Sequence, residues 1–164
     1  MHARKALRAV TLDITGTLLD FGKPVGRTYL EILEKHVQLG ANERLALHNG
    51  IHRSFAEAYK ELRQKHPYYG GKTLSTPDWW HRCIRNTFAR CGVHEVPQPA
   101  VEEIYAIYEQ PSAYTIYPDA LRALDVFKQH GLVLGVLTNS DERYDVALLP
   151  NMGIRHMFHF VIHS

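Results

Sequence analysis

The sequence predicts an α/β fold, a parallel-sheet core interrupted after its first strand by an inserted bundle of four helices. Three observations predict it. Ala9–Leu12 is a short, mostly apolar and β-branched run and Leu132–Leu137 an uninterrupted apolar one, the pattern of strands covered on both faces of a parallel sheet. Between residues of about 25 and 110 the apolar positions recur instead at helical spacing. Each apolar run also ends on polar groups, Asp13 after the first and Thr138-Asn139 after the second. Ligands of open α/β sheets bind at that end of the strands.

In order along the chain, Asp13 closes the first strand and Gly16 permits a sharp turn that residues with a Cβ resist. Asp20–Val25 is a loop punctuated by Gly22 and Pro24. A first helix starts near Val25, with Tyr29, Ile32, Leu33, His36 and Val37 on one face and Gly40 at its end. Asn42 is expected to cap a second helix, whose stripe is Leu47, Ile51, Phe55, Ala58, Tyr59 and Leu62. Arg44, Arg53, Glu57, Lys60, Glu61 and Arg63 form its solvated face. After a turn-rich loop at His66–Gly71, Thr76 suits an N-cap and Pro77 the first position of a third helix, which Gly92 terminates. Trp79 and Trp80 point about 100° apart, so one packs inward while the other is available to a cleft. Pro97-Gln98-Pro99 reads as a linker to a fourth helix carrying Val101, Ile104, Tyr105 and Tyr108 and stopped by Pro111. A fifth helix begins at Pro118-Asp119, with Leu121, Leu124 and Phe127 inward, and Gly131 closes it. The strand Leu132–Leu137, a helix from about Glu142 to Leu149, and a strand from Met157 to Ile162 complete the reading.

The bulk properties are those of a soluble globular chain, with 45% apolar and 22% charged residues. A formal charge of +2 does not argue for nucleic acid or an anionic membrane. No apolar run reaches the roughly 18–20 residues of a membrane span. The basic start Met1–Arg8 lacks the apolar segment of a secretory signal and is compatible with a short organelle-targeting arm. Cys83 and Cys91, placed in one helix, would stand roughly 12 Å apart along its axis, too far to pair. Reduced thiols suit a cytoplasmic location, with mitochondrial or nuclear placement left open.

A carboxylate at the position of Asp13 serves equally as a turn cap, a nucleophile or a metal ligand. Thr138-Asn139 is a polar turn or, with its backbone N–H groups near a helix start, an anion site. His159 and His163 would share a strand face roughly 13 Å apart, too far for one metal ion.

The stretch from Val10 to Leu19, together with the strand–helical insert–helix–strand order that follows, resembles the haloacid dehalogenase-like hydrolases. The likeness covers nearly the whole chain. Asp13, Gly16 and Thr17 match motif I, and Thr138 matches motif II. The resemblance implies a partial Rossmann-like parallel-sheet core, residues 1–22 and 112–164 with strands 1–3, and a helical cap at residues 23–111 that closes over the site. It implies Asp13 as nucleophile and Mg²⁺ ligand, the Thr15 backbone oxygen as a second metal ligand, Thr138 as phosphate binder and Asn139 assisting through its backbone. The implied reaction is hydrolysis of a small phosphorylated metabolite, a phosphomonoester, through an aspartyl phosphate.

Two departures qualify that expectation. Thr15 stands where most phosphatases of the family carry a second Asp, and a hydroxyl cannot act as a base near neutral pH. Asp-x-Thr-Gly-Thr is similar to the phosphorylation motif of P-type ATPases, whose aspartyl phosphate is long-lived, and dehalogenases of the family have Tyr at this place. The family's motif III Lys and motif IV acids are expected after Ser164, so the core reads as C-terminally truncated and its activity as weak or lost. The first strand then becomes an apolar edge open to a protein partner or to self-association. The alternatives are a non-catalytic binding protein or gene-product fragment, and a 2-haloacid dehalogenase.

Overall fold

The computed structural model describes residues 7–164, so Met1–Ala6, most of the basic arm, lie outside it. The chain divides into two compact units. One gathers the described residues up to Gly22 together with Glu109–Ser164, and the other is Lys23–Tyr108.

The first unit is built on a parallel sheet. β1 (Ala9–Leu12) pairs with β4 (Val133–Leu137), which pairs with β5 (Phe160–Ile162), in the order β1-β4-β5. β1 is not buried on both faces as its composition predicts: Ala9 and Thr11 are exposed, Val10 and Leu12 half-buried. The register explains the alternation. Val10 and Leu12 lie beside Leu134 and Val136, which are fully buried, whereas Ala9 lies beside Val133, which is 39% exposed. One face of the sheet is therefore the packed one. On the other face Gly135 is covered by the Phe160 ring, whose Cζ would lie 2.1 Å from a Cβ at that position.

Two short strands escape the sequence patterns. β2 (Leu19–Phe21) and β3 (Tyr114–Ile116) pair antiparallel, and Phe21 stacks on Tyr114 with ring centroids 5.4 Å apart. Segments of this length carry too few residues to display a period, and their partners are remote in sequence. α5 (Ala120–Gln129) buries Leu124, while Leu121 is exposed rather than inward. The helix expected after β4 is a π-helical turn, Tyr144–Leu148, continued by a single α-helical turn, Leu149–Asn151. Met157 belongs to a 3₁₀ turn, so the last strand is only Phe160–Ile162.

The second unit contains α1 (Val25–His36), α2 (Ala41–Lys65), α3 (Thr76–Ala89) and α4 (Gln98–Ile107). Tyr29, Ile32 and Leu33 of α1 pack with Leu47 and Ile51 of α2, Ile84 and Phe88 of α3, and Val101 and Ile104 of α4. Gly26 permits the α1–α2 approach, since a Cβ there would lie 2.5 Å from Ile51 Cγ2. A second cluster joins Ala58, Leu62, Tyr69, Trp79 and Cys83, with Trp80 half-buried against it. Burial pushes the Cys83 thiol up to about 12.

The helix starts differ from expectation in instructive ways. Gly40, not Asn42, caps α2, and its N–H donates to the Glu43 carboxylate at 2.8 Å. Ser75, not Thr76, caps α3 through its hydroxyl, which accepts from Asp78 N–H. α4 begins inside the expected linker, because prolines in the first turn forfeit no helical hydrogen bond. Cys91 lies beyond the end of α3, so it does not share a helix with Cys83.

Candidate functional site

Asp13 follows β1 by one residue and Thr138 follows β4 by one residue. Since β1 and β4 are adjacent and parallel, with Leu12 opposite Val136, both residues leave the sheet at the same end. Asp13 is exposed, and its Oδ1 accepts the Ile14 N–H at 2.8 Å. The loop after it closes on the buried Ile14, whose carbonyl accepts the N–H groups of Thr17, Leu18 and Leu19 at 2.8–3.2 Å. Gly16 N–H donates to Leu19 C=O at 2.8 Å. Gly16 adopts φ +82 with open space where a Cβ would stand, so backbone conformation and not crowding demands glycine here.

Thr15 Oγ1 lies 3.1 Å from the Tyr144 hydroxyl, which in turn receives the Tyr114 hydroxyl at 3.5 Å. Both tyrosines are 8% exposed. Sequence reading missed them, since nothing local marks a tyrosine that meets its partner across the fold.

Thr138 is buried and continues the ladder, its N–H donating to Ile162 C=O at 2.9 Å. Its hydroxyl accepts Ser140 N–H at 3.3 Å and donates to Ser140 Oγ at 3.2 Å. Asn139 is exposed at the tip of this turn. Asp141 and Arg143 follow as a buried ion pair, 1% and 6% exposed. Asp141 Oδ1 accepts Arg143 N–H at 3.0 Å and Nε at 2.9 Å, and Oδ2 accepts Nη2 at 2.9 Å. An acid and an arginine two residues apart after a strand end was the available signal for this fork.

The histidines near the C-terminus flank β5 instead of sharing it: His156 sits in the 3₁₀ turn, and His159 Nδ1 accepts Leu134 N–H at 3.1 Å. Among the described residues no three His, Cys, Asp or Glu side chains gather at metal-binding spacing. The Asp13 carboxylate and the nearby backbone carbonyls are hard oxygen donors. That set suits Mg²⁺, which takes one or two carboxylates and keeps several waters, and not a softer ion that needs several protein ligands. No helix among the described residues is long and apolar enough to cross a membrane.

A family profile described as a haloacid dehalogenase-like hydrolase matches residues 7–164. The chain is 31% identical to the haloacid dehalogenase-like hydrolase domain-containing protein 3 of Bos taurus, over all of this chain and 64% of that protein. The protein of the same name from Homo sapiens is 30% identical with the same coverage. The chain thus spans under two thirds of the length of these relatives. Among solved structures, the L-2-haloacid dehalogenase of Xanthobacter autotrophicus superposes with TM-score 0.60 at 22% identity, over 96% of this chain and 57% of that one. The Bacillus subtilis HAD-hydrolase YfnB, described as bound to magnesium, superposes with TM-score 0.67 at 15% identity, over 98% and 66%. At such identities the superpositions speak for the fold alone. Fold, motif order and profile agree, and the chain belongs to the haloacid dehalogenase-like hydrolase family.

Proposed function

We propose that this chain carries the phosphoryl-accepting site of a Mg²⁺-dependent phosphomonoester hydrolase, with Asp13 as nucleophile. The observation that carries the reading is the placement of Asp13 and Thr138 just past the same end of two adjacent parallel strands. Asp13 Oδ1 is engaged by Ile14 N–H, so Oδ2 is the attacking oxygen. It forms a bond to phosphorus as the bond to the leaving alcohol breaks. The Thr138 hydroxyl, steadied by the Ser140 N–H that it accepts, turns its single proton from Ser140 Oγ to a phosphoryl oxygen, and the Asn139 N–H adds a second donor. Water then attacks the aspartyl phosphate, releasing inorganic phosphate and restoring the carboxylate. Mg²⁺, held by Asp13 and the Thr15 carbonyl, would reduce repulsion between carboxylate and phosphoryl group.

The exchange of the second Asp for Thr15 shapes the rate. Its hydroxyl faces Tyr144 and has no acid–base capacity at neutral pH. Hydrolysis of the aspartyl phosphate is therefore the slow step, and turnover is weak.

The test is phosphate release from p-nitrophenyl phosphate by the purified chain, with and without Mg²⁺ and beside Asp13→Asn. Slow release that requires both the metal and Asp13 supports the reading. Release that persists in Asp13→Asn overturns it.

A further inference from the structure

We infer that the buried Asp141–Arg143 pair is a positioning device for the phosphate turn, setting Thr138 and Ser140 on one side and Tyr144 on the other. The inference rests on the phosphoryl-accepting reading above and adds to it residues that touch no reacting atom.

Two opposite charges withdrawn from water are costly unless their geometry is good. Here the guanidinium meets the carboxylate as a fork, through Nε and Nη2 at 2.9 Å each. The same carboxylate also takes the backbone N–H of Arg143, and the Asp141 carbonyl takes that of Tyr144 at 3.3 Å. Planar two-point contacts fix direction as well as distance. Side chain and backbone of Asp141 are thus tied to the two residues that open the π-helical turn Tyr144–Leu148.

What this fixes is the turn immediately before it. Ser140 adjoins Asp141, gives its N–H to the Thr138 hydroxyl, and accepts Ser164 N–H on its carbonyl at 3.1 Å. A rotation at Asp141 would move Ser140 and take the Thr138 hydroxyl off its line. On the far side, Tyr144 follows Arg143 directly and meets Thr15 of the Asp13 loop. One buried pair therefore stands between the residue proposed to hold phosphate and the residue that holds Thr15.

The experiment compares the unmodified chain with Arg143→Lys, which keeps the charge but loses the fork, and with Asp141→Asn/Arg143→Met, which removes both charges and leaves an acceptor for the Arg143-position N–H. Amide hydrogen exchange is read at position 140, and the rate of Asp13 phosphorylation by acetyl phosphate is read per folded molecule. In the unmodified chain the Ser140 amide is expected to exchange as slowly as those of β4. In both variants it should exchange at least about tenfold faster, and phosphorylation should slow by a similar factor. With Thr138→Val in the background, Arg143→Lys should cost no further rate, since it acts through that hydroxyl.

A rapidly exchanging Ser140 amide in the unmodified chain overturns the inference, and that measurement needs no variant to fold. Unchanged exchange at position 140 in a folded variant also overturns it, as does a rate loss that multiplies with that of Thr138→Val. If the unmodified chain takes up no phosphoryl group, the phosphoryl-accepting reading fails, and the exchange data alone decide whether the pair sets the turn.

Discussion

The hydroxyl of Thr15 lies 3.1 Å from that of Tyr144, joining the loop after β1 to the π-helical turn across 129 positions of sequence. Tyr144 is buried, and the Tyr114 hydroxyl completes a short chain of three. A buried hydroxyl bond contributes about 1 kcal/mol net. Tyr144→Phe should therefore lower unfolding stability in urea by about 1 kcal/mol. An unchanged midpoint would mean that the hydroxyl chain contributes nothing.

Thr15 also governs the fate of the proposed aspartyl phosphate. Thr15→Asp places a carboxylate where the hydroxyl now stands and supplies a general base. Release of phosphate from pre-phosphorylated Asp13 should accelerate by about 10²–10⁴-fold, the usual range for this contribution. The decay rate after removal of the phosphoryl donor measures it directly. Equal decay in the two chains would show that Thr15 is not at the acid–base position.

The loop between α2 and α3 stores backbone strain. Tyr68 and Tyr69 both have positive φ, 54° and 51°. Tyr69 is held by its neighbours: its ring lies 5.2 Å from Trp79, and its hydroxyl 3.0 Å from that of Tyr59. Tyr68 is 72% exposed. Left-handed backbone costs a residue with a Cβ about 1–2 kcal/mol, and glycine's extra freedom in the unfolded chain returns part of the gain. Tyr68→Gly should stabilise the chain by about 0.5 kcal/mol, whereas Tyr68→Ala, which keeps the Cβ, should not. Thermal unfolding of the two variants distinguishes them, and equal shifts would refute the strain.

Much of the fold is legible in the sequence because its signals are local. Helical stripes such as Leu47, Ile51, Ala58 and Leu62 declare themselves within one segment, and so does the apolar centre of β4. Asp13 and Thr138 are candidates in the sequence because each follows an apolar run and their order matches the family's motifs. What escaped depends on contacts remote in sequence. β2 and β3 exist through each other, the Thr15 hydroxyl meets Tyr144 across the fold, and the exposure of Ala9 and Thr11 follows from which face of the sheet is packed. The helix caps shifted by a residue or two because Gly40 and Ser75 compete with Asn42 and Thr76 for nearly equivalent positions.

Glu103 links α4 to α1 through Lys35 at 2.5 Å and His36 at 2.7 Å. The Lys35 ammonium, and then His36, hold its carboxyl below the ordinary value of 4.5. A depressed carboxyl contributes stability above its unfolded value and loses it as pH falls through the folded one. Glu103→Gln should therefore cost stability at neutral pH and cost progressively less below about pH 4.5, where the unmodified chain loses the same contribution. The side chain is 37% exposed, so solvent screening keeps the effect under about 1 kcal/mol. Urea midpoints at several pH values test it, and a difference between the chains that grows toward acid pH would have the wrong sign.

The most direct test of the account is the identity of the residue that accepts phosphate. The chain is incubated with acetyl phosphate and Mg²⁺, reduced with borohydride, which converts an aspartyl phosphate to homoserine, and digested for peptide mass analysis. Homoserine is expected at position 13 and none in Asp13→Asn. An absence of the product at position 13, or its appearance at another aspartate, would contradict the assignment of Asp13 as the nucleophile.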